Sequence, residues 1–213
     1  MKAYFLFLLT LGISVPGVAE DRTGDPLQSP TIVLCLRPLR LAEEPGLPEA
    51  VESVKRLTTF SQTQEGMPKR AVDALVFIFK DLFQKEQELA DAENALTKVE
   101  RKALAKEELA TRTETVGSPL SGPNPRLAVM YRQEAAELRS KANRRHEAAL
   151  KMLKEKIAAY NVSVAYFQTQ NDTEVVIALA SSLFAVADRR LPGFDFKPTV
   201  SREWILQQKR MEA

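Results

Sequence analysis

The sequence contains one cysteine, Cys35, and one histidine, His146, among its 213 residues. A single cysteine excludes a disulfide within the chain, so its stability must come from packing or association rather than from covalent crosslinks. A single histidine excludes a two-histidine metal site within one chain. His146 lies between Arg145 and Glu147 in a charged helical stretch, where it is predicted to be solvated and without catalytic partners.

The chain also has few glycines and little net charge. Two of the eight glycines fall within the first 19 residues, and none belongs to a motif that cradles phosphate. Lys and Arg total 30 against 28 Asp and Glu, whereas a dedicated nucleic-acid binder shows a concentrated basic excess. We therefore expect no catalytic residues, no metal, no cofactor, no small-molecule substrate and no nucleic-acid partner.

The first 19 residues read as a secretory signal peptide. Lys2 precedes an apolar stretch from Tyr4 to Val15, Pro16 breaks it, and residues 17–19 are small at the positions that a signal peptidase inspects. A permanent membrane span needs about 20 apolar residues, which makes an uncleaved anchor the weaker alternative. The protein is therefore expected to be exported, periplasmic or extracellular, with a mature chain that begins near Glu20.

Residues 20–46 are predicted to form a flexible leader and a short strand. Thr31 to Leu36 is apolar and β-branched, which makes it the best strand candidate in the chain. Cys35 lies within this stretch and is predicted to be buried, with an intermolecular disulfide as the alternative. Residues 47–68 then read as a short helix and turn.

Residues 69–168 are predicted to form a long antiparallel helical hairpin with its loop at residues 116–125. Both arms lack proline and glycine, while the loop is rich in them. In each arm small or apolar residues recur every seven positions, which is typical of a coiled-coil seam. The seam positions are Leu82, Leu89, Leu96, Ala103 and Ala110 in the first arm, and Ala128, Ala135, Ala142 and Ala149 in the second.

The two open ends of the hairpin should form a small helical base together with residues 169–213. Val72 to Phe83 is apolar on nearly every side and is expected to be buried on nearly every side. The same holds for Val175 to Ala187, which is too short to cross a bilayer. Phe194 and Phe196 predict a short strand or an extended packing segment. The fold class is thus mainly α, with at most one or two short strands.

Charged side chains on the two arms could carry function. Seven acids of the first arm are interpreted as a solvated coiled-coil face, paired with nearby lysines. The second arm is basic in its middle, where acids of the first arm would neutralise part of the charge. Arg145 falls at a seam position, where it could fix the register or extend outward. The seven acids are Glu86, Glu88, Asp91, Glu93, Glu100, Glu107 and Glu108, and the candidate partner-binding residues are Arg139, Arg144, Arg145 and Lys151.

A signal peptide, a small body that contains a strand and long helical arms together resemble the jellyfish-shaped periplasmic chaperones of the OmpH-like class. The resemblance lies in layout alone and carries over no functional residues. Adaptor subunits with helical hairpins in envelope transport machines have the same layout. The chain departs from the chaperone class in its near-neutral charge and in the apolar helix over 175–187.

The leading hypothesis is a non-enzymatic scaffold, adaptor or chaperone-like protein that uses the hairpin arm to bind a protein partner or a second copy of itself. The alternative is a membrane-acting or effector protein that deploys the apolar helices over 72–83 and 175–187 onto a membrane surface.

Overall fold

The computed structural model describes residues 26–41, 47–116 and 122–211. Over these residues the chain is helical, with no β-sheet, and a short 3-10 turn at Pro26–Gln28 precedes the first helix. The six helices are α1 (Pro30–Leu41), α2 (Leu47–Gln62), α3 (Gly66–Thr115), α4 (Pro125–Thr169), α5 (Thr173–Arg190) and α6 (Arg202–Met211). The predicted fold class, a helical hairpin on a helical base, is confirmed. The predicted signal peptide and most of the leader lie outside the described residues.

The strand predicted over Thr31 to Leu36 is wrong, because these residues belong to α1. Ile32, Leu36 and Leu39 are fully buried at three- and four-residue spacing, so a helical stripe of apolar residues faces the core. Short apolar runs do not distinguish a strand from a buried helix, and here tertiary packing overrides β propensity. Cys35 is buried in the same helix, as predicted.

Helices α3 and α4 pack against each other as an antiparallel pair and are the longest elements described, with 50 and 45 residues. Most of the predicted seam is buried: Ala103, Ala110, Ala128 and Ala135 have no exposed surface, while Leu96 and Ala149 are partly buried. At the loop, Asn124 caps α4 by accepting a hydrogen bond from the backbone N–H of Leu127 at 3.1 Å. The backbone N–H of Asn124 also donates to the carbonyl of Thr113 at 2.9 Å, which ties the two arms together beside the loop.

The hydrophobic core lies entirely in the base, where α1, α2 and α5 pack around the open ends of α3 and α4. Every residue of α5 from Val175 to Ala187 is buried, as predicted. The first apolar segment differs, because Phe77 is 61% exposed within it. Tyr166, near the open end of the second arm, is 49% exposed. Both aromatic residues lie on the outer surface of the hairpin, where none of the described helices covers them.

The chain from Leu191 to Ser201 is an extended packing segment rather than a strand. The ring of Phe196 packs edge-on against Phe184 of α5, with 5.5 Å between the ring centroids. Asn161 of α4 holds the segment in place: its side-chain amide donates to the Lys197 carbonyl at 2.9 Å, and its carbonyl oxygen accepts from the Thr199 N–H at 2.8 Å. Ser201 then caps α6 by accepting a hydrogen bond from the backbone N–H of Trp204.

Candidate interaction surface of the hairpin

One side of the hairpin is fixed by arginines of α4 that pair with glutamates of α3. Arg139 contacts both Glu100 and Glu107, and its Nε lies 3.0 Å from the Glu100 carboxylate oxygens. Arg132 pairs with Glu114 nearer the loop. The hydrogen bonds from Arg139 raise its own pKa and hold the pKa of Glu107 below its usual range. Every charge in this set has a partner, and two arginines face three glutamates, so the positive charge on this side of the arm is fully neutralised.

The opposite side of the hairpin is identified by a lysine of α3. Lys106 pairs with Glu134 of α4, and its ammonium lies over the Tyr131 ring, 5.7 Å from the centroid. A shallow surface depression marks this side, and five residues line it: Lys106, Glu134, Glu137, Leu138 and Lys141.

Beyond this depression the same side becomes basic. Residues three, four or seven apart lie on one stripe of a helix, so Lys98 and Lys102 share a stripe with Lys106 on α3. On α4, Lys141 and Arg145 continue the stripe of Glu134 by the same rule. All four cations are exposed, and none makes an ion pair with another described residue. We call Lys98, Lys102, Lys141 and Arg145 the basic face.

Toward the loop this side of the arm is apolar. Leu109 follows Lys106 by three residues, and Val116 follows Leu109 by seven, so both continue the α3 stripe. Met130 precedes Glu134 by four residues on α4. Their exposed fractions are 43% for Leu109, 75% for Val116 and 54% for Met130. We call these three residues the apolar tip.

The four residues predicted to bind a partner do not form one surface. Arg139 lies on the neutralised side and is held by two glutamates. Lys151 is exposed, and its Nζ lies 3.9 Å from a carboxylate oxygen of Glu155. Arg144 and Arg145 are neighbours, and Arg145 belongs to the basic face. Arg145 is exposed, so its heptad position does not place it in the seam.

Sequence reasoning did not single out Lys98, Lys102 or the apolar tip. The sequence does contain spacings that could have indicated them. Lysines recur every four residues at Lys98, Lys102 and Lys106, and Leu109 does not occupy one of the buried heptad positions of its helix. Only the pairing of α3 with α4 shows that Lys98 and Lys102 lie on the same side of the hairpin as Lys141 and Arg145.

The interpretation of the seven acids of α3 as a solvated face is wrong for Glu86, which is 1% exposed. Its Oε1 accepts from Arg189 Nε at 2.7 Å, and Arg190 Nε lies 3.4 Å away. Arg190 also reaches Glu93 at 3.2 Å, so this cluster joins the end of α5 to α3. The cluster is part of the base and lies away from the basic face.

Within the described ranges no group of three or more His, Cys, Asp and Glu side chains is placed to hold a metal ion. No helix described here has the length and hydropathy needed to cross a membrane. The sequence matches no protein family, and no curated protein or solved structure is similar to it. The layout shared with jellyfish-shaped chaperones thus gains no support, and the described base lacks the strand on which that resemblance partly rested.

Proposed function

We propose that this chain is a non-enzymatic interaction protein whose helical hairpin arm binds a protein partner through its distal end. The observation that carries the proposal is the apolar tip, where Leu109, Val116 and Met130 are exposed far from the core. Two further large apolar side chains of the distal arm, Leu104 at 50% and Val129 at 49%, are also exposed on the other side. Large exposed apolar groups concentrated at the end of a projection are typical of a contact surface.

The construction of the arm supports this function. Its seam of fully buried alanines brings two backbones close together and forms a thin rod. Ion pairs between α3 and α4 cross the rod at three levels, through Lys106, Arg132 and Arg139. A rod stabilised within itself presents its end to a partner without a large ordering cost on binding.

Photo-crosslinking in the native host tests the proposal. A photoreactive amino acid replaces Met130 at the tip in the full chain, and the matched control carries it at Leu34, an exposed apolar residue of α1 in the base. We expect one discrete protein adduct from position 130 and none of the same mass from position 34. Substituting Leu109→Ser and Val116→Ser in the Met130 crosslinking protein should abolish the adduct. Adducts from the base alone, or none from the arm, would refute the proposal.

The membrane-acting alternative requires release of the apolar helices. It is less well supported, because all residues from Val175 to Ala187 are packed inside the base. Leakage of dye from vesicles measures it directly: an adaptor leaves vesicles intact at neutral and at acidic pH. Leakage at either pH, lost on crosslinking α5 to its neighbours, would favour the alternative.

Export is a further part of the proposal and rests on the sequence of residues 1–19. Protein recovered from the periplasmic or culture fraction of the host should have an N-terminus near Glu20. A full-length N-terminus in the cytoplasmic fraction would contradict export while leaving the arm's proposed role open to the crosslinking experiment.

A further inference from the structure

The basic face brings together cations from both helices at one level of the arm. Arg139 contacts Glu100 and Glu107 at once, so it lies level with the residues midway between them. Because the helices are antiparallel, Lys102 lies close to the level of Lys141, and Lys98 close to that of Arg145. The face therefore spans about one turn of each helix, or roughly 6 Å along the arm.

None of the four cations makes an ion pair with another described residue, and Glu137, one turn before Lys141 and beside it in the surface depression, offsets only part of their charge. Glu100 is directed to Arg139 on the opposite side, and Glu93, five residues before Lys98, is directed to Arg190 of the base. Glu147 is two residues from Arg145, which places it on a different side of α4. Four like charges within two short stripes repel one another, and a negatively charged partner would relieve that repulsion.

We propose that the basic face binds an acidic segment of a protein partner, which lies along the arm and places its own apolar side chains on the apolar tip. This inference rests on the proposed function and adds the chemistry of the partner. Leu109 and Lys98 are eleven residues apart, which is about 16 Å along the helix. The partner segment should therefore carry apolar and acidic groups separated by about the same distance.

A protein segment fits this side better than an anionic bilayer does. Glu134 and Glu137 lie between the apolar tip and the basic face, beside Lys106 and Lys141. A surface of anionic lipids presents negative charge everywhere, and it would repel these two carboxylates within a Debye length of about 8 Å. A protein segment can place a neutral or basic residue opposite them and acidic residues opposite the four cations.

Peptide selection tests the inference with the full chain. A random library of peptides of about 15 residues, long enough to cover this distance as a helix, is selected against the immobilised protein. We expect the enriched peptides to carry an acidic cluster and separate apolar residues. Their affinity should fall as salt is raised, because exposed charges supply part of the binding.

A matched pair of charge reversals identifies the surface. One variant carries Lys102→Glu, Lys141→Glu and Arg145→Glu. The control carries Arg101→Glu, Arg112→Glu and Arg126→Glu, three exposed arginines of the arm outside the basic face. The two variants have the same net charge, and circular dichroism checks that both are folded. We expect the first to bind the selected peptides about tenfold more weakly and the control to bind within about twofold of the unchanged protein.

The remaining outcomes separate the two proposals. If Leu109→Ser with Met130→Ser abolishes binding while reversal of the basic face has no effect, the proposed function stands and this inference is overturned. If neither change weakens binding, both are overturned. The last test uses vesicles with one part phosphatidylglycerol to three parts phosphatidylcholine. If the protein sediments with these vesicles, the basic-face reversal abolishes that sedimentation, and no acidic peptide is selected, the basic face would be assigned to a lipid surface instead.

Discussion

Glu86 is one of the seven acids of α3 that the sequence pattern assigned to a solvated face, yet it alone among them is fully buried. Arg189 and Arg190 reach it from the end of α5, which is about a hundred residues further along the chain. Its Oε2 has no hydrogen-bond partner among the described residues. A buried carboxylate of this kind stabilises the fold only as long as its charge is matched.

Glu86→Gln should therefore lower the free energy of unfolding by about 2 kcal/mol, because two arginines lose their shared counter-ion and both are still partly exposed to water. Urea unfolding followed by circular dichroism measures the loss. Glu108→Gln, an exposed acid of the same helix without an ion pair, is the control and should change stability by less than about 0.5 kcal/mol. Equal effects of the two substitutions would mean that the buried pair contributes nothing of its own.

Tyr160 gives the protein a pH dependence at alkaline pH. Its hydroxyl donates to Asp81 within the base, and burial together with this hydrogen bond raises its pKa above the usual value of about 10. Above that pH the unfolded chain loses the proton while the folded chain retains it, so stability falls as pH rises. Tyr160→Phe should remove this part of the decline, as measured by urea unfolding at neutral and alkaline pH. An unchanged decline in the variant would assign it to other groups.

At the scale of the elements, the alanine seam determines how close α3 and α4 lie. Ala135 is fully buried between the two helices, whereas the next residue, Ala136, is exposed. The seam buries little apolar area, so the distal arm should open more readily than the base. Hydrogen exchange of backbone amides should therefore be faster in the arm between residues 97 and 145 than in α5.

Ala135→Leu should destabilise the arm by about 1–3 kcal/mol, because the larger side chain forces the two backbones apart. Ala136→Leu on the exposed surface is the matched control and should have little effect or a slight stabilising one. Hydrogen exchange resolved along the chain measures both. Equal protection of the arm in the two variants would show that the seam tolerates a larger residue.

At the scale of the whole molecule, the core and the proposed binding surface are separate. The core cluster includes nothing between Leu89 and Leu153 apart from Ala149 and Leu150, which pack against it from its edge. The apolar tip and the basic face both lie beyond this boundary. The molecule can therefore change its contact surface without changing the packing that stabilises its base.

Replacing residues 97–145 with a short turn should leave a folded base. The two cut ends, one on α3 and one on α4, lie at the same level of the antiparallel pair, so a short turn can join them. We expect a thermal unfolding midpoint within about 4 °C of the full chain, a shift that corresponds to roughly 1 kcal/mol for a protein of this size. The shortened protein should lose the crosslinked adduct proposed for the tip. A base that does not fold without the arm would contradict the separation of core and surface.

The amino-acid sequence was sufficient to predict the hairpin, because helix propensity and heptad spacing act locally and extend over many turns. It also determined the burial of Val175 to Ala187, since an element with no polar side can only be stable inside a core. The secondary structure of Thr31 to Leu36 could not be predicted from the sequence. A short apolar run is compatible with a strand or a helix, and the choice depends on which elements pack against it.

The burial and the ion pairing of individual charged side chains depend on the tertiary structure. Glu86 and Glu108 look alike in the sequence, as do Arg139 and Arg145. Which of them is buried, paired or free depends on the side of α3 that meets α4 and on where α5 ends. Coulomb interactions depend on distance in space and on exclusion of water, and the seven-residue repeat specifies neither for side chains outside the seam.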